Sequence, residues 1–255
     1  MKNKQVKIGN ATLYLGDCFS ILPKLDVECD ALITDPPYGT TNCDWDIKIP
    51  LNTFWSIIDS STKLTANFVL FGCGRFTHEL FNSKPDWYRY DMVWVKSKKC
   101  GHLNANKMPM RNHESVLVFG RQGFRDAAAY NPQKSLGGRV GVKTVNHKSN
   151  VYRDKGTFIH TSDGFLHPGS VLHFKNEIGL HPTQKPLGLM EQLVKTYSNE
   201  GDTVLDCFMG SGSTAAAAIN TGRKFIGIEQ NEKYFNIAVE RLKKAYSERK
   251  GGSPP

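Results

Sequence analysis

The chain has 255 residues, 39% hydrophobic and 22% charged, so it can bury a sizeable core and is too apolar for a disordered tail. Its six cysteines include no Cys-x-x-Cys pair, and no leader-like run opens the sequence, so we expect no zinc ribbon and a reducing cytoplasm. The longest apolar runs fall far short of the roughly 18 residues that a membrane-spanning helix needs, so we expect no membrane contact.

The formal net charge of +9 is concentrated in one stretch of the chain. Residues 96–155 contain thirteen lysines and arginines against three acids, a net of +10, and the rest of the chain sums to about −1. A basic stretch of this kind typically binds a polyanion, because neutralised phosphates release counterions. A basic surface that only faces solvent is the alternative.

Short strands and helices alternate along residues 1–120. We predict strands over residues 11–15 and 31–34 with a helix over 18–22 between them, then a helix over 53–64 and a strand over 67–71. A Gly-x-Gly turn at Gly72 and Gly74 follows, and two further strands occupy residues 90–95 and 115–119. This alternation indicates an α/β domain with a central, mostly parallel sheet.

The pattern weakens over residues 121–177, which are rich in Gly, Asn, Ser, Lys and His and poor in apolar side chains. We interpret this part as an insertion with little core of its own. The alternation resumes with a helix over 187–198, a strand over 203–205, a helix over 213–220, a strand over 224–229 and a helix over 232–249. We expect residues 251–255 to form a disordered tail.

The sequence Asp35-Pro36-Pro37-Tyr38 directly follows a predicted strand, at the edge where open α/β sheets bind ligands. The prolines stiffen the backbone, so the Asp35 carboxylate and the Pro36 carbonyl form a fixed pair of acceptors for an amino group with two hydrogens. Tyr38 offers a flat face on which a planar base can stack. The alternative is a rigid turn around a buried tyrosine.

A glycine loop follows the strand that ends near Asp206. Gly210 and Gly212 precede a predicted helix, and Glu229 ends the next strand, which is the arrangement of a nucleotide or nucleoside pocket. Ala215 stands where a dinucleotide fingerprint has its third glycine, so a nucleoside cofactor without a pyrophosphate suits the loop better than NAD or ATP. A tight structural turn is the alternative.

These motifs together resemble a known family. D-P-P-Y at 35–38, H-P-T-Q-K-P at 181–186 and D-x-F-x-G-S-G-S-T at 206–214, in this order, are similar to the β class of S-adenosylmethionine-dependent DNA amino-methyltransferases, which act on adenine N6 or cytosine N4. The resemblance covers residues 11–240 except the insertion. It implies a Rossmann-like methyltransferase fold with circularly permuted motif order, whose catalytic half is 1–120, whose target-recognition segment is 121–177 and whose cofactor half is 178–250.

The resemblance also implies roles for individual residues. Asp35 and the Pro36 carbonyl would bind the target amino group within the catalytic motif that Pro37 and Tyr38 complete, and Tyr38 would stack on the base. The acid of the Gly16-Asp17-Cys18 turn would contact the cofactor adenine, and Lys185 would hold its methionine carboxylate. The implied cofactor contacts are Asp17, Cys18, Asp35, Thr183, Lys185, Asp206, Phe208, Gly210, Gly212, Ser213, Thr214 and Glu229.

The basic stretch coincides in part with the implied target-recognition segment. We therefore expect contacts with double-stranded DNA, and the candidate residues are Lys98, Lys99, Arg139, Lys143 and Lys148. The eight histidines show no metal-ligand spacing, so we predict no metal site.

The resemblance implies a sequence-specific adenine-N6 DNA methyltransferase that flips its target base, of bacterial or phage type and acting on DNA in the bacterial cytoplasm. Asp rather than Ser before Pro-Pro-Tyr favours adenine over cytosine N4, which stays an alternative. A second alternative, of another class, is a DNA-binding protein that kept the fold and lost catalysis. A homodimer and a cognate restriction endonuclease are partners that the sequence leaves open.

Overall fold

Two sheets organise the part of the chain that the computed structural model describes, which is residues 4–39, 46–122, 129–147, 156–177, 179 and 184–251. The strands are β1 (Lys4–Ile8), β2 (Ala11–Leu15), β3 (Cys29–Thr34), β4 (Thr62–Gly72), β5 (Tyr88–Cys100), β6 (Arg111–Phe119), β7 (Ser135–His147), β8 (Gly156–Leu166), β9 (Val171–His173), β10 (Thr203–Asp206) and β11 (Lys224–Glu229). The α-helices are α1 (Cys18–Ile21), α2 (Leu51–Ser61), α3 (Arg75–Ser83), α4 (Leu187–Tyr197), α5 (Ser213–Asn220) and α6 (Glu232–Gly251). Short 3-10 turns cover Leu22–Lys24, Pro85–Trp87 and His102–Asn104.

The large sheet has the strand order β1-β2-β11-β10-β3-β4-β6-β5-β9. The run from β2 to β4 is parallel throughout, while β6 lies antiparallel between β4 and β5. The predicted α/β fold with a mostly parallel sheet is therefore confirmed. The parallel run brings the carboxyl ends of β2, β11, β10, β3 and β4 to one edge of the sheet, where ligands bind in such folds.

Helices cover both faces of this sheet, because its central strands are apolar on both sides. Leu32 and Ile33 are neighbours in β3 and both are fully buried, but they belong to different cores, as the two-residue period of a strand requires. One core includes residues of α4, α5 and α6, and the other includes residues of α1, α2 and α3. No helix in the described ranges is both long enough and apolar enough to span a membrane.

Several element boundaries differ from the sequence prediction. The helix predicted over 53–64 ends at Ser61, and Thr62 is already extended and begins β4. The Thr62 hydroxyl donates a hydrogen bond to the Ile58 carbonyl at 2.6 Å, and this carbonyl is one of the acceptors left without a partner at the end of the helix. Strand β1 and helix α3 were not predicted, and α3 buries only Phe76 and Leu80, a stripe too narrow to read from the sequence.

The small sheet is an antiparallel hairpin of β7 and β8 within a compact unit, Pro132–Gly169. Its apolar side chains face outward, with Val140 81% exposed and Ile159 72% exposed, and no apolar side chain described in this unit is buried. The predicted insertion, 121–177, extends beyond this unit on both sides, and β9 lies inside that prediction but pairs with β5 of the large sheet. The predicted tail, 251–255, begins one residue too early, because Gly251 ends α6, and its other residues lie outside the described residues.

Candidate functional site

The glycine loop between β10 and α5 has a backbone that only glycine adopts readily. Gly210 has φ of 52° and Gly212 has φ of 77°, both in the left-handed region. A Cβ atom on Gly212 would also lie 3.0 Å from the Cβ of Ala238 in α6. The loop is therefore pressed against the helix behind it, and its front faces the edge of the sheet.

Asp206, the last residue of β10, is buried and ties this loop to the neighbouring strand. Its carboxylate accepts hydrogen bonds from the Thr214 hydroxyl and the Thr34 hydroxyl, each at 2.6 Å, and from the Phe208 amide at 3.1 Å. Burial raises the pKa of Asp206 to about 6. Because Thr34 directly precedes Asp35, these bonds fix the position of the Asp35-Pro36-Pro37-Tyr38 turn relative to the glycine loop.

Two further acids line the same edge. Glu229 ends β11 and accepts hydrogen bonds from the Gly210 amide at 2.9 Å and the Asn231 amide at 2.7 Å, and burial raises its pKa. Asp17 caps α1 by accepting from the Phe19 amide at 3.3 Å. The neighbouring thiol of Cys18 is buried, which together with Asp17 raises its pKa to about 12.

The catalytic motif predicted from the sequence forms a turn at the end of β3. Tyr38 donates a hydrogen bond from its hydroxyl to Asp35 Oδ1 at 2.5 Å, and its ring stacks on Phe76 with 5.0 Å between centroids. Removal from water, and then the adjacent Asp35, raise the pKa of Tyr38 well above its usual value. The stacking of Tyr38 on a target base stays a prediction.

Sequence reasoning missed the charged chain beside this turn. The Lys185 ammonium forms an ion pair with Asp35 Oδ2 and lies 3.4 Å from Glu114 Oε2. The other Glu114 oxygen pairs with Lys96, and Lys185 and Glu114 are both buried. The signal available in the sequence was a single acid, Glu114, directly before the strand predicted over residues 115–119.

The charges in this chain shift one another's pKa values. Burial alone would lower the pKa of Lys185, but Asp35 and Glu114 raise it above its ordinary value. Burial alone would raise the pKa of Glu114, but Lys185 and Lys96 bring it below its ordinary value. For Asp35, the loss of water raises the pKa, and Lys185 opposes this rise.

The glycine loop, the Asp35 turn, Lys185 and Glu114 line one cleft of about 1080 Å³, a volume that includes open solvent at its mouth. The predicted site residues that line it are Asp17, Cys18, Asp35, Pro36, Pro37, Tyr38, Lys185, Asp206, Phe208, Gly210, Ser213, Thr214 and Glu229. Gly212 lies behind the loop as the N-cap of α5. The cleft is acidic, because six carboxylates line it and Lys185 is the single lysine or arginine among its described lining residues.

The four predicted DNA contacts that the structure describes are exposed and are not among the residues that line the cleft. Lys98 and Lys99 lie near the end of β5, and Arg139 and Lys143 lie in β7. Lys148 and the predicted cofactor contact Thr183 lie outside the described residues.

Comparison with known proteins connects these observations to one family. Residues 29–240 match the family model of the N6 and N4 methyltransferases, described as DNA methylase. The DNA adenine methyltransferase YhdJ of Escherichia coli (strain K12) is 46% identical over 262 aligned residues, covering 91% of this chain and 82% of the relative. The type II methyltransferase M2.LlaDCHI of Lactococcus lactis subsp. cremoris is 47% identical over 261, covering 92% of this chain and 90% of the relative.

The fold is shared with a solved structure as well. The crystal structure of the M1.HpyAVI complex with SAM superposes with a TM-score of 0.63 at 26% identity, covering 91% of this chain and 99% of that one.

Proposed function

Because the chain belongs to the DNA methylase family of N6 and N4 amino-methyltransferases, we propose that it transfers the methyl group of S-adenosylmethionine to the N6 amino group of adenine in DNA. The observation that carries this proposal is the meeting of Asp35-Pro36-Pro37-Tyr38 with the glycine loop in one cleft. The adenine target is supported by the carboxylate at position 35 and by the similarity to YhdJ, a DNA adenine methyltransferase.

The acidic lining fits this cofactor. A sulfonium is a cation, and a cleft lined by six carboxylates and one lysine favours a cation over a phosphate-bearing nucleotide. Gly210 opens the backbone to a close ligand, while Glu229 and Asp17 supply acceptors for ribose hydroxyls and adenine. Bound there, S-adenosylmethionine supplies a methyl group that is already activated by its sulfonium.

The protein therefore needs mainly to position the nucleophile and to stabilise changing charge. Asp35 and the Pro36 carbonyl accept the two amino hydrogens, which favours a pyramidal nitrogen whose lone pair is free to attack. The nitrogen gains a methyl group and gives up a proton, and the ionised Asp35 carboxylate is suited to receive that proton. The thiols of Cys18 and Cys207 have pKa values raised by burial, so they stay neutral, and the reaction requires no covalent enzyme intermediate.

The target amino group lies inside the duplex, so the base must be flipped out, and Tyr38 would replace part of the lost stacking, about 1 to 3 kcal/mol. We expect Lys98 and Lys99, which are exposed near the end of β5, to bind the DNA backbone beside the cleft. Strand β6 is antiparallel to both β4 and β5, so β5 ends at the same edge of the sheet as β4. A homodimer and a cognate restriction endonuclease stay predictions.

The test is the chemical identity of the product. DNA treated with the protein and S-adenosylmethionine is digested to nucleosides, and mass spectrometry separates N6-methyldeoxyadenosine from N4-methyldeoxycytidine. We expect the adenine product and a loss on the order of 10²-fold or more in Asp35→Ala, with Asp26→Ala as the exposed control. If only the cytosine product forms, the adenine target is rejected. If no product forms although the cofactor binds, the result favours the alternative of a DNA-binding protein that has lost catalysis.

A further inference from the structure

The acceptor that the proposed reaction needs is already engaged. Asp35 Oδ1 accepts the Tyr38 hydroxyl at 2.5 Å, and Asp35 Oδ2 is paired with the Lys185 ammonium. An amino group that donates to Asp35 has to share or replace one of these donors. Lys185 is the stronger competitor, because a charged donor binds a carboxylate about twice as strongly as a neutral one.

A second acceptor for Lys185 lies next to it. Glu114 Oε2 is 3.4 Å from the Lys185 ammonium, is fully shielded from solvent, and has no hydrogen-bond partner among the described residues. A buried carboxylate oxygen without a donor is costly, so a small movement of the ammonium toward Glu114 is favourable for that oxygen. The Phe71 ring, centred 4.8 Å from the ammonium, lines its surroundings on one side.

We infer that Glu114 is a positioning residue that receives the Lys185 ammonium when the amino group of the target base replaces it on Asp35. This inference rests on the proposed amino-methyl transfer and adds a role for a residue outside the family motifs quoted above. The movement keeps the buried Lys185 paired with a carboxylate in both arrangements, so its ammonium charge is never left without a partner. It also leaves the full negative charge of Asp35 to the nitrogen on which positive charge builds.

Other charged groups keep the exchange local. Lys96 holds Oε1 of Glu114, which fixes the carboxylate so that Oε2 faces Lys185. The titratable groups that act on Asp35 and its partners come from strands β5, β6 and β10 and from the segments that connect the elements; they are Tyr38, Cys73, Lys96, Glu114, Lys185 and Asp206. Of these, Lys185 alone contacts both Asp35 and Glu114 through its ammonium.

The decisive variant is Glu114→Gln, measured by single-turnover methyl transfer on DNA at saturating cofactor. We expect a rate about 10- to 100-fold lower, because the carboxamide offers no charged acceptor and Lys185 stays on Asp35. The acidic limb of the pH profile should also move to lower pH, because the negative charge of Glu114 raises the pKa of Asp35 and is now gone. Glu114→Asp should restore part of the rate, and Glu79→Gln, which breaks the ion pairs of Glu79 with Lys48 and Arg75, should leave it unchanged.

A double-mutant cycle separates this role from a structural one. If Glu114 acts through Lys185, then adding Glu114→Gln to Lys185→Gln should not lower the rate of methyl transfer further. If the two residues act independently, the rate losses of the single variants should multiply. An unchanged rate in Glu114→Gln overturns the inference. The inference is also overturned if Glu114→Gln loses rate while its acidic limb is unmoved, its cofactor binding is weaker and its melting temperature is lower, because this combination indicates a packing defect. A wild-type protein that methylates no DNA would reject the proposed function and this inference together, whereas an active wild type beside an equally active Glu114→Gln rejects the inference alone.

Discussion

Asp206→Asn tests the electrostatic cost of the carboxylate that joins the two motifs. Burial raises the pKa of Asp206 from 3.8 to about 6, so the folded protein binds this proton more tightly than the unfolded chain does. The protonated Asp206 side chain therefore contributes most to stability below pH 4, and that contribution is lost as the pH rises through 6. The size of the rise corresponds to about 3 kcal/mol. Asparagine keeps the shape of the group and cannot ionise.

The assay is urea unfolding of both proteins between pH 4 and pH 8. Over this range, the free energy of unfolding of Asp206→Asn should rise relative to that of the wild type by up to about 3 kcal/mol. Most of this change should occur between pH 4 and pH 6. Asp26→Asn removes a carboxylate from an exposed position and controls for the loss of charge. A difference that stays constant, or that moves in favour of the wild type as the pH rises, would refute the reasoning.

Three further results follow from the site. Glu229→Gln should bind S-adenosylmethionine at least about tenfold more weakly in calorimetry, because one of the two backbone amides that donate to Glu229 loses its acceptor. Glu232→Gln is the control, and an unchanged affinity in Glu229→Gln would contradict the proposed role of Glu229 in cofactor binding. Gly212→Ala should lower the free energy of unfolding by about 1–2 kcal/mol in urea titrations, and an unchanged value would show that the left-handed loop relaxes. Replacing Lys98 and Lys99 with glutamine should make the salt dependence of DNA binding shallower by about one unit per lost phosphate contact, and a wild-type slope near zero would reject the contact.

The parts of the fold that the sequence predicted well are those with strong local signals. Helix α5 and strand β11 have the predicted boundaries because glycines and a run of alanines mark them within a few residues. The Asp35 turn and the glycine loop share a cleft because both follow parallel strands, an inference that needs only the direction of the strands. Alternation and turn chemistry were therefore sufficient for this part of the site.

The ion-pair chain could not be predicted in this way. Glu114 and Lys185 are far apart in sequence, one in β6 and the other just before α4, so only the tertiary fold brings them together. The sequence suggested Lys185 as a partner for the methionine carboxylate, whereas the structure places its ammonium between two carboxylates of the protein. The hairpin of β7 and β8 was also missed, because its outward valines give no pattern of a buried face.

The absence of any buried apolar side chain from the described residues of Pro132–Gly169 has a consequence for how such proteins diversify. Substitutions there leave the hydrophobic cores of the large sheet untouched, so most of them should carry little penalty in folding. Mutation can therefore explore this hairpin widely while the cleft stays intact. In a laboratory setting, the same property makes it the natural segment to randomise or to exchange between relatives when its predicted role in target recognition is tested.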